Sequence, residues 1–141
     1  MLEALEETLR SVLWMTLTGM VACGAGTAPT GELKPGEFNG TWTLVEIDSK
    51  SVATDPGAAL PSFTVKDQSI DGFDGCNTFS GRLDRPGSIT STRRGCPEGA
   101  VKLPLDLGDP LPHLKEGRME KDRLLLPARG SMPASTFKRG R

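Results

Sequence analysis

Short segments of alternating apolar and polar residues, each closed by turn-forming residues, constrain this chain more than any other feature. Thr41 to Ile47, T-W-T-L-V-E-I, follows Asn39-Gly40 and reads as a strand. Its alternation puts Trp42, Leu44 and Glu46 on one face and Thr43, Val45 and Ile47 on the other. After a polar loop from Ser49 to Pro61 containing Asp55-Pro56-Gly57, Ser62 to Lys66 alternates again, with Phe63 and Val65 on one side. Asp67-Gln68 then reverses the chain into Ser69 to Phe73, predicting a hairpin. A glycine-rich elbow leads to Thr78 to Leu83, a turn at Asp84 to Gly87, and the β-branched run Ser88 to Arg93. The chain from Trp42 to Cys96 therefore predicts an antiparallel meander.

Beyond Cys96 the pattern changes. Leu103, Leu107, Leu111 and Leu114 fall at helical spacing, but Pro104, Pro110 and Pro112 limit any helix to a turn or two. One short helix at most is expected within Leu103 to Lys115. Arg118 to Leu126 and Ser131 to Lys138 read as a closing hairpin with Ala128-Arg129-Gly130 at its tip, and Arg139 to Arg141 as a frayed tail. The fold class expected is mostly β (α+β): a single small domain of antiparallel strands over residues 40–138. With 17 glycines, 11 prolines and 36% hydrophobic residues in 141, its core has to be thin and its loops many.

The amino-terminal stretch is of another kind. Ser11 to Ala22 is twelve residues without charge, the length of a secretory signal's apolar region and too short to span a bilayer as a helix. Met20-Val21-Ala22-Cys23 resembles the lipobox of bacterial lipoproteins, in which the signal is cut before a cysteine that carries diacylglycerol. Residues 1–22 are accordingly expected to be a lipoprotein signal peptide, Cys23 the lipid attachment site, and residues 23–39 a flexible tether. Glu3, Glu6 and Glu7 outnumber Arg10 where such a signal is normally basic. The alternative is an amphipathic first helix carrying Leu2, Leu5, Leu9 and Leu13. The partner expected from the first reading is the lipid bilayer, through acylated Cys23, with the domain outer membrane-anchored and facing the periplasm.

If Cys23 is acylated, Cys76 and Cys96 remain, and an exported protein tends to pair them. Two free thiols or a reversible redox pair are the alternatives. The spacing is not the C-x-x-C of redox motifs.

The most distinctive run is Ser69 to Gly81, S-I-D-G-F-D-G-C-N-T-F-S-G. With Thr92-Arg93-Arg94-Gly95-Cys96 downstream it resembles the META domain family of HslJ-like bacterial proteins. Gly75, Cys76, Asn77, Phe79 and Gly81 match the first family signature, Thr92, Arg93 and Cys96 the second, and Trp42 the early strand. Arg94 and Gly95 stand where the family usually has Met and Ala, and prolines occupy the region where it normally carries a helix. The resemblance implies a cell-envelope protein associated with heat shock, stress response and novobiocin tolerance.

Chemistry-bearing patterns are sparse. His113, the single histidine, lies in D-P-L-P-H-L-K and is expected to be a solvated loop residue. No G-x-S-x-G or phosphate-cradling glycine motif accompanies it. Asp71, Asp74 and Asn77 could offer oxygens to a calcium ion, although the EF-hand pattern is missing. A net charge of −1 disfavours a nucleic-acid partner held by bulk positive charge. The expectation is a non-catalytic module with no cofactor and no metal, binding an unknown envelope protein or small ligand. The alternative is a thiol-disulfide redox protein using Cys76 and Cys96.

Overall fold

The computed structural model describes residues 31–52 and 56–141. The expected signal peptide and Cys23 lie outside the described residues, as do residues 23–30 of the expected tether. Among the described residues the chain forms nine strands and one helix. These are β1 (Gly40–Ile47), β2 (Lys50–Ser51), β3 (Ser62–Lys66), β4 (Ser69–Phe73), β5 (Thr78–Arg82), β6 (Thr90–Ser91), α1 (Pro110–Lys115), β7 (Arg118–Glu120), β8 (Arg123–Leu126) and β9 (Ser135–Arg139). They make one antiparallel sheet in the order β6-β5-β4-β3-β1-β9-β8-β7, with β2 paired to the end of β1. A mostly β domain with one short helix is what the sequence predicts.

Register and side-chain alternation assemble the core on one face. Trp42 pairs with Phe63, Phe63 with Gly72 and Gly72 with Phe79, while Leu44 pairs with Phe137 and Phe137 with Leu124. Gly72 sits between the two phenylalanines; a Cβ there would meet the Ser62 carbonyl oxygen at 2.2 Å and the Phe79 ring at 2.9 Å. The missing side chain lets the rings close over the sheet. Phe63 and Phe137 pack edge to face with centroids 5.2 Å apart. Leu33, Phe38, Leu103, Leu105 and Leu114 join the same buried cluster from outside the sheet.

Several expectations are corrected. The strand pattern of β1 breaks at a bulge: Leu44 pairs with Phe137 and Glu46 with Thr136, skipping Val45. The extra residue carries Ile47 onto the core side, where it packs against the cluster. Glu46 instead meets Arg123 at 3.3 Å, so it does not share the face of Trp42 and Leu44. Ser88 to Arg93 shrinks to the two residues of β6. Arg118 to Leu126 divides into β7 and β8 around Lys121, whose φ of 57° makes the turn without glycine.

The packed body also starts before Gly40. Leu33 donates its amide to the Lys115 carbonyl at 2.8 Å, and Phe38 is 1% exposed. At the other end, Arg139 belongs to β9 and Gly140 donates to the Thr41 carbonyl at 2.7 Å, so the expected fraying does not begin at Arg139.

α1 forms because its prolines fall where they do no harm. Pro110 and Pro112 lie in the first turn, whose amide hydrogens lack intrahelical acceptors in any helix. His113 is fully buried within it, and its Nε2 meets the Pro127 carbonyl at 2.8 Å, which corrects the solvated-loop reading. The helix is thereby tied to the end of β8.

Replacement of Phe38 separates a packed segment from a tether. We expect Phe38→Ala to lower unfolding stability by about 3–5 kcal/mol, the usual cost of emptying a buried phenylalanine site. Urea denaturation measures it; a change within about 0.5 kcal/mol is what a solvated linker would give.

Candidate functional site

The residues singled out by motif converge on the elbow between β4 and β5. Asp74 begins it: its Oδ1 accepts from the amides of Cys76 at 2.9 Å and Asn77 at 2.6 Å, and its own amide donates to the Asn77 carbonyl. Such self-bonding by an aspartate builds a tight turn from side-chain chemistry. Gly75 adopts φ +102°, and a Cβ on it would stand 1.7 Å from the Val101 carbonyl oxygen. No other residue fits there. The Asp74 carbonyl in turn accepts from the Leu103 amide at 2.8 Å, so the segment following Cys96 is laid against the elbow.

Cys76 and Cys96 form a disulfide with their Cα atoms 5.2 Å apart. Beside it, Asn77 Oδ1 accepts from the Thr92 hydroxyl at 3.0 Å and from the Arg94 amide at 2.7 Å. The Thr78 amide donates to Thr92 Oγ1, and the Thr92 amide to the Thr78 carbonyl. Side-chain acceptors thus take over from the ladder beyond Thr92, where the run that reads as a longer strand stops. Further along, a Cβ on Gly81 would lie 2.6 Å from Ile89 Cα, so glycine permits β5 and the returning chain to touch.

Asn77 Oδ1 and Asp74 Oδ1 are committed to protein donors, so the calcium alternative loses the Asn77 oxygen and one of the two Asp74 oxygens. Trp42 works elsewhere: its Nε1 donates to the Phe38 carbonyl at 2.8 Å and the Arg139 guanidinium lies 4.4 Å from its ring centroid. Phe79 is a core residue. Arg93, also part of the family pattern, is exposed and brings nothing to the elbow's described bonds.

What the motif holds in place is a groove on the solvent side of β3 to β6, about 630 Å³ in volume. Cross-strand neighbours Thr64, Asp71, Ser80 and Thr90 run across it, beside a second row of Ser62, Phe73 and Thr78. Thr92, held by Asn77, forms part of its wall. Motif reading missed this groove, because its residues are ordinary solvent-side positions until β6 is fixed beside β5. The alternation of Ser and Thr with core residues was the available signal. At the far end of β5, Arg82 chelates Asp84 with two bonds of 2.8 and 2.9 Å and holds its carboxyl below the usual carboxylate range, but both groups are exposed and the tie is weak.

Sheet, staple and loop-borne cover define a small disulfide-linked antiparallel β domain. The META domain family model matches residues 33–140, and the chain belongs to that family. The match begins at Leu33, in agreement with the burial of Leu33 and Phe38. No curated protein and no solved structure matches the chain.

Two substitutions and one reduction probe the elbow. Gly75→Ala is expected to cost at least about 3 kcal/mol because backbone must move. Gly87→Ala, with φ +77° but open space around it, is expected to cost only about 1–2 kcal/mol. Reducing the disulfide, whose cysteines are 20 residues apart, is expected to cost roughly 3 kcal/mol in the chain-entropy model. Denaturant midpoints check all three; equal costs for the two glycine variants would remove the clash with Val101 as the cause.

Proposed function

We propose that the chain is a non-catalytic envelope lipoprotein, exported and anchored through acylated Cys23, whose META domain binds an unknown partner or small ligand. The observation that carries this reading is the Cys76–Cys96 disulfide. Such bonds form and persist in oxidising compartments outside the cytosol. The apolar Ser11 to Ala22 run and the small residues Ala22, Gly24 and Ala25 around Cys23 supply the matching address. Acyl chains contribute about 0.8 kcal/mol per buried CH₂, so two or more hold the domain at a membrane.

The binding role is supported by the fate of the polar groups. His113, the chain's one histidine, is buried against the Pro127 carbonyl. The motif residues build a scaffold rather than present reactive atoms, and the surface they organise is a groove. Family membership adds the association with heat shock, envelope stress and novobiocin tolerance.

A second reading, reversible thiol chemistry at Cys76 and Cys96, is favoured by the exposure of Cys96. Reduction potential separates the two, since structural bridges in secreted proteins lie below about −300 mV.

Membrane fractionation of Cys23→Ser beside the parent chain tests the anchor. The parent is expected in the membrane fraction and the variant in the soluble periplasmic fraction; identical partitioning would contradict the anchor. Loss of the gene is expected to raise sensitivity to detergent, heat or novobiocin, and unchanged growth in all three would contradict the stress role.

A further inference from the structure

The groove over β3 to β6 has a lining with unusual chemistry. Ser62, Thr64, Thr78, Ser80, Thr90 and Thr92 are among the residues that bring hydroxyls, Asp71 brings a carboxylate, and Phe73, unlike the core residue Phe79, brings a ring to the solvent side. No lysine or arginine lines it, although charged residues make up 25% of the chain. Asp71 is exposed and takes part in no ion pair among the described residues.

Each part of this lining narrows the ligand. An anion would meet Asp71 inside the lining, while Lys66 and Arg82, one row away on the same face, lie outside it and Arg82 is held by Asp84. A purely apolar ligand would bury hydroxyls without partners, which is costly. A ligand rich in neutral hydroxyls satisfies both conditions, because Ser and Thr donate and accept while a carboxylate accepts two strong bonds from adjacent O–H groups. Phe73, half-buried between Ser62 and Thr78 in the cross-strand row, supplies an apolar face for the C–H side of a sugar ring. Four strands at about 4.8 Å spacing give the rows a span of about 14 Å, room for a short run of sugar units.

We infer that this groove is a saccharide-binding site, with Asp71 accepting hydrogen bonds from sugar hydroxyls and Phe73 stacking beneath a ring. The inference rests on the binding-module reading and names its ligand class. The staple enters directly: Asn77 and the disulfide hold Thr92 and β6 as the outer wall.

The test is a titration of the ¹⁵N-labelled full chain with cellotetraose and, separately, chitotetraose, followed by amide chemical shifts. At least one of the two is expected to give saturable shifts centred on Asp71, Phe73, Ser80 and Thr90. Asp71→Asn and Phe73→Leu are each expected to weaken that binding at least about tenfold, or about 1.4 kcal/mol. Asp71→Asn preserves size and Phe73→Leu keeps an apolar side chain without the ring, and the dispersion of their spectra reports that the sheet is intact. Absence of saturable shifts with both oligosaccharides, shifts centred elsewhere, or undiminished binding in both variants would overturn the site. Such a result would leave the membrane anchor untouched, since the Cys23→Ser fractionation reads that independently.

Discussion

Four residues between β4 and β5 decide where the segment from Thr92 to Leu103 can go. The Asp74–Asn77 turn has room for no side chain at Gly75, holds one sulfur of the disulfide at Cys76, and offers a side-chain acceptor at Asn77. Through these the segment from Thr92 to Leu103 is fastened in three ways: covalently at Cys96, by hydrogen bonds at Thr92 and Arg94, and by the Leu103 amide on Asp74. Leu103 and Leu105 then enter the core from a stretch with no regular structure of its own. A cross-link and directed hydrogen bonds supply here what a longer strand or helix would supply by ladder bonds. In a domain with so lean an apolar complement, such fixed points carry a larger share of stability than they would in a bigger core.

A second fixed point gathers the ends of the described chain around Trp42. Phe38 accepts from the indole nitrogen, and Arg139, almost a hundred residues later in sequence, covers the indole face while donating to the Asn39 carbonyl. The central strand is thus gripped by the segments that precede and conclude the sheet. The consequence is a solvent face of β3 to β6 whose shape is set from behind, by core packing, and from one side, by the staple. A face held in this way would lose little conformational entropy in the binding role proposed for it.

Legibility in the sequence followed the reach of the forces involved. β1, β3, β4 and β5 were readable because alternation and local turn residues both belong to neighbouring positions. The limits on α1 were readable too, since the effect of proline is local. What escaped depended on distant partners. Leu33 and Phe38 are isolated apolar residues without periodicity, so only the sheet they cover reveals them as core. His113 looks like a loop residue until Pro127 is placed above it, and Arg139 looks like a tail until Trp42 lies beneath its guanidinium. The division of β7 from β8 turns on Lys121 adopting a left-handed backbone, for which the sequence carries no glycine signal. At the site, the cysteine pair and Asn77 were visible as a motif, whereas the groove required knowing which solvent-side hydroxyls become neighbours.

The cross-link and Asn77 act together to hold the Thr92 to Cys96 segment against β5. Amide hydrogen exchange at Thr92 and Arg94, compared with and without reductant under otherwise native conditions, tests this joint action directly. Both amides, bonded to the Thr78 carbonyl and Asn77 Oδ1, should be protected in the oxidised protein and exchange freely after reduction, while central amides of β1 and β9 keep protection of their own. Unchanged protection at Thr92 and Arg94 after complete reduction would contradict that joint action and leave the disulfide as a bystander.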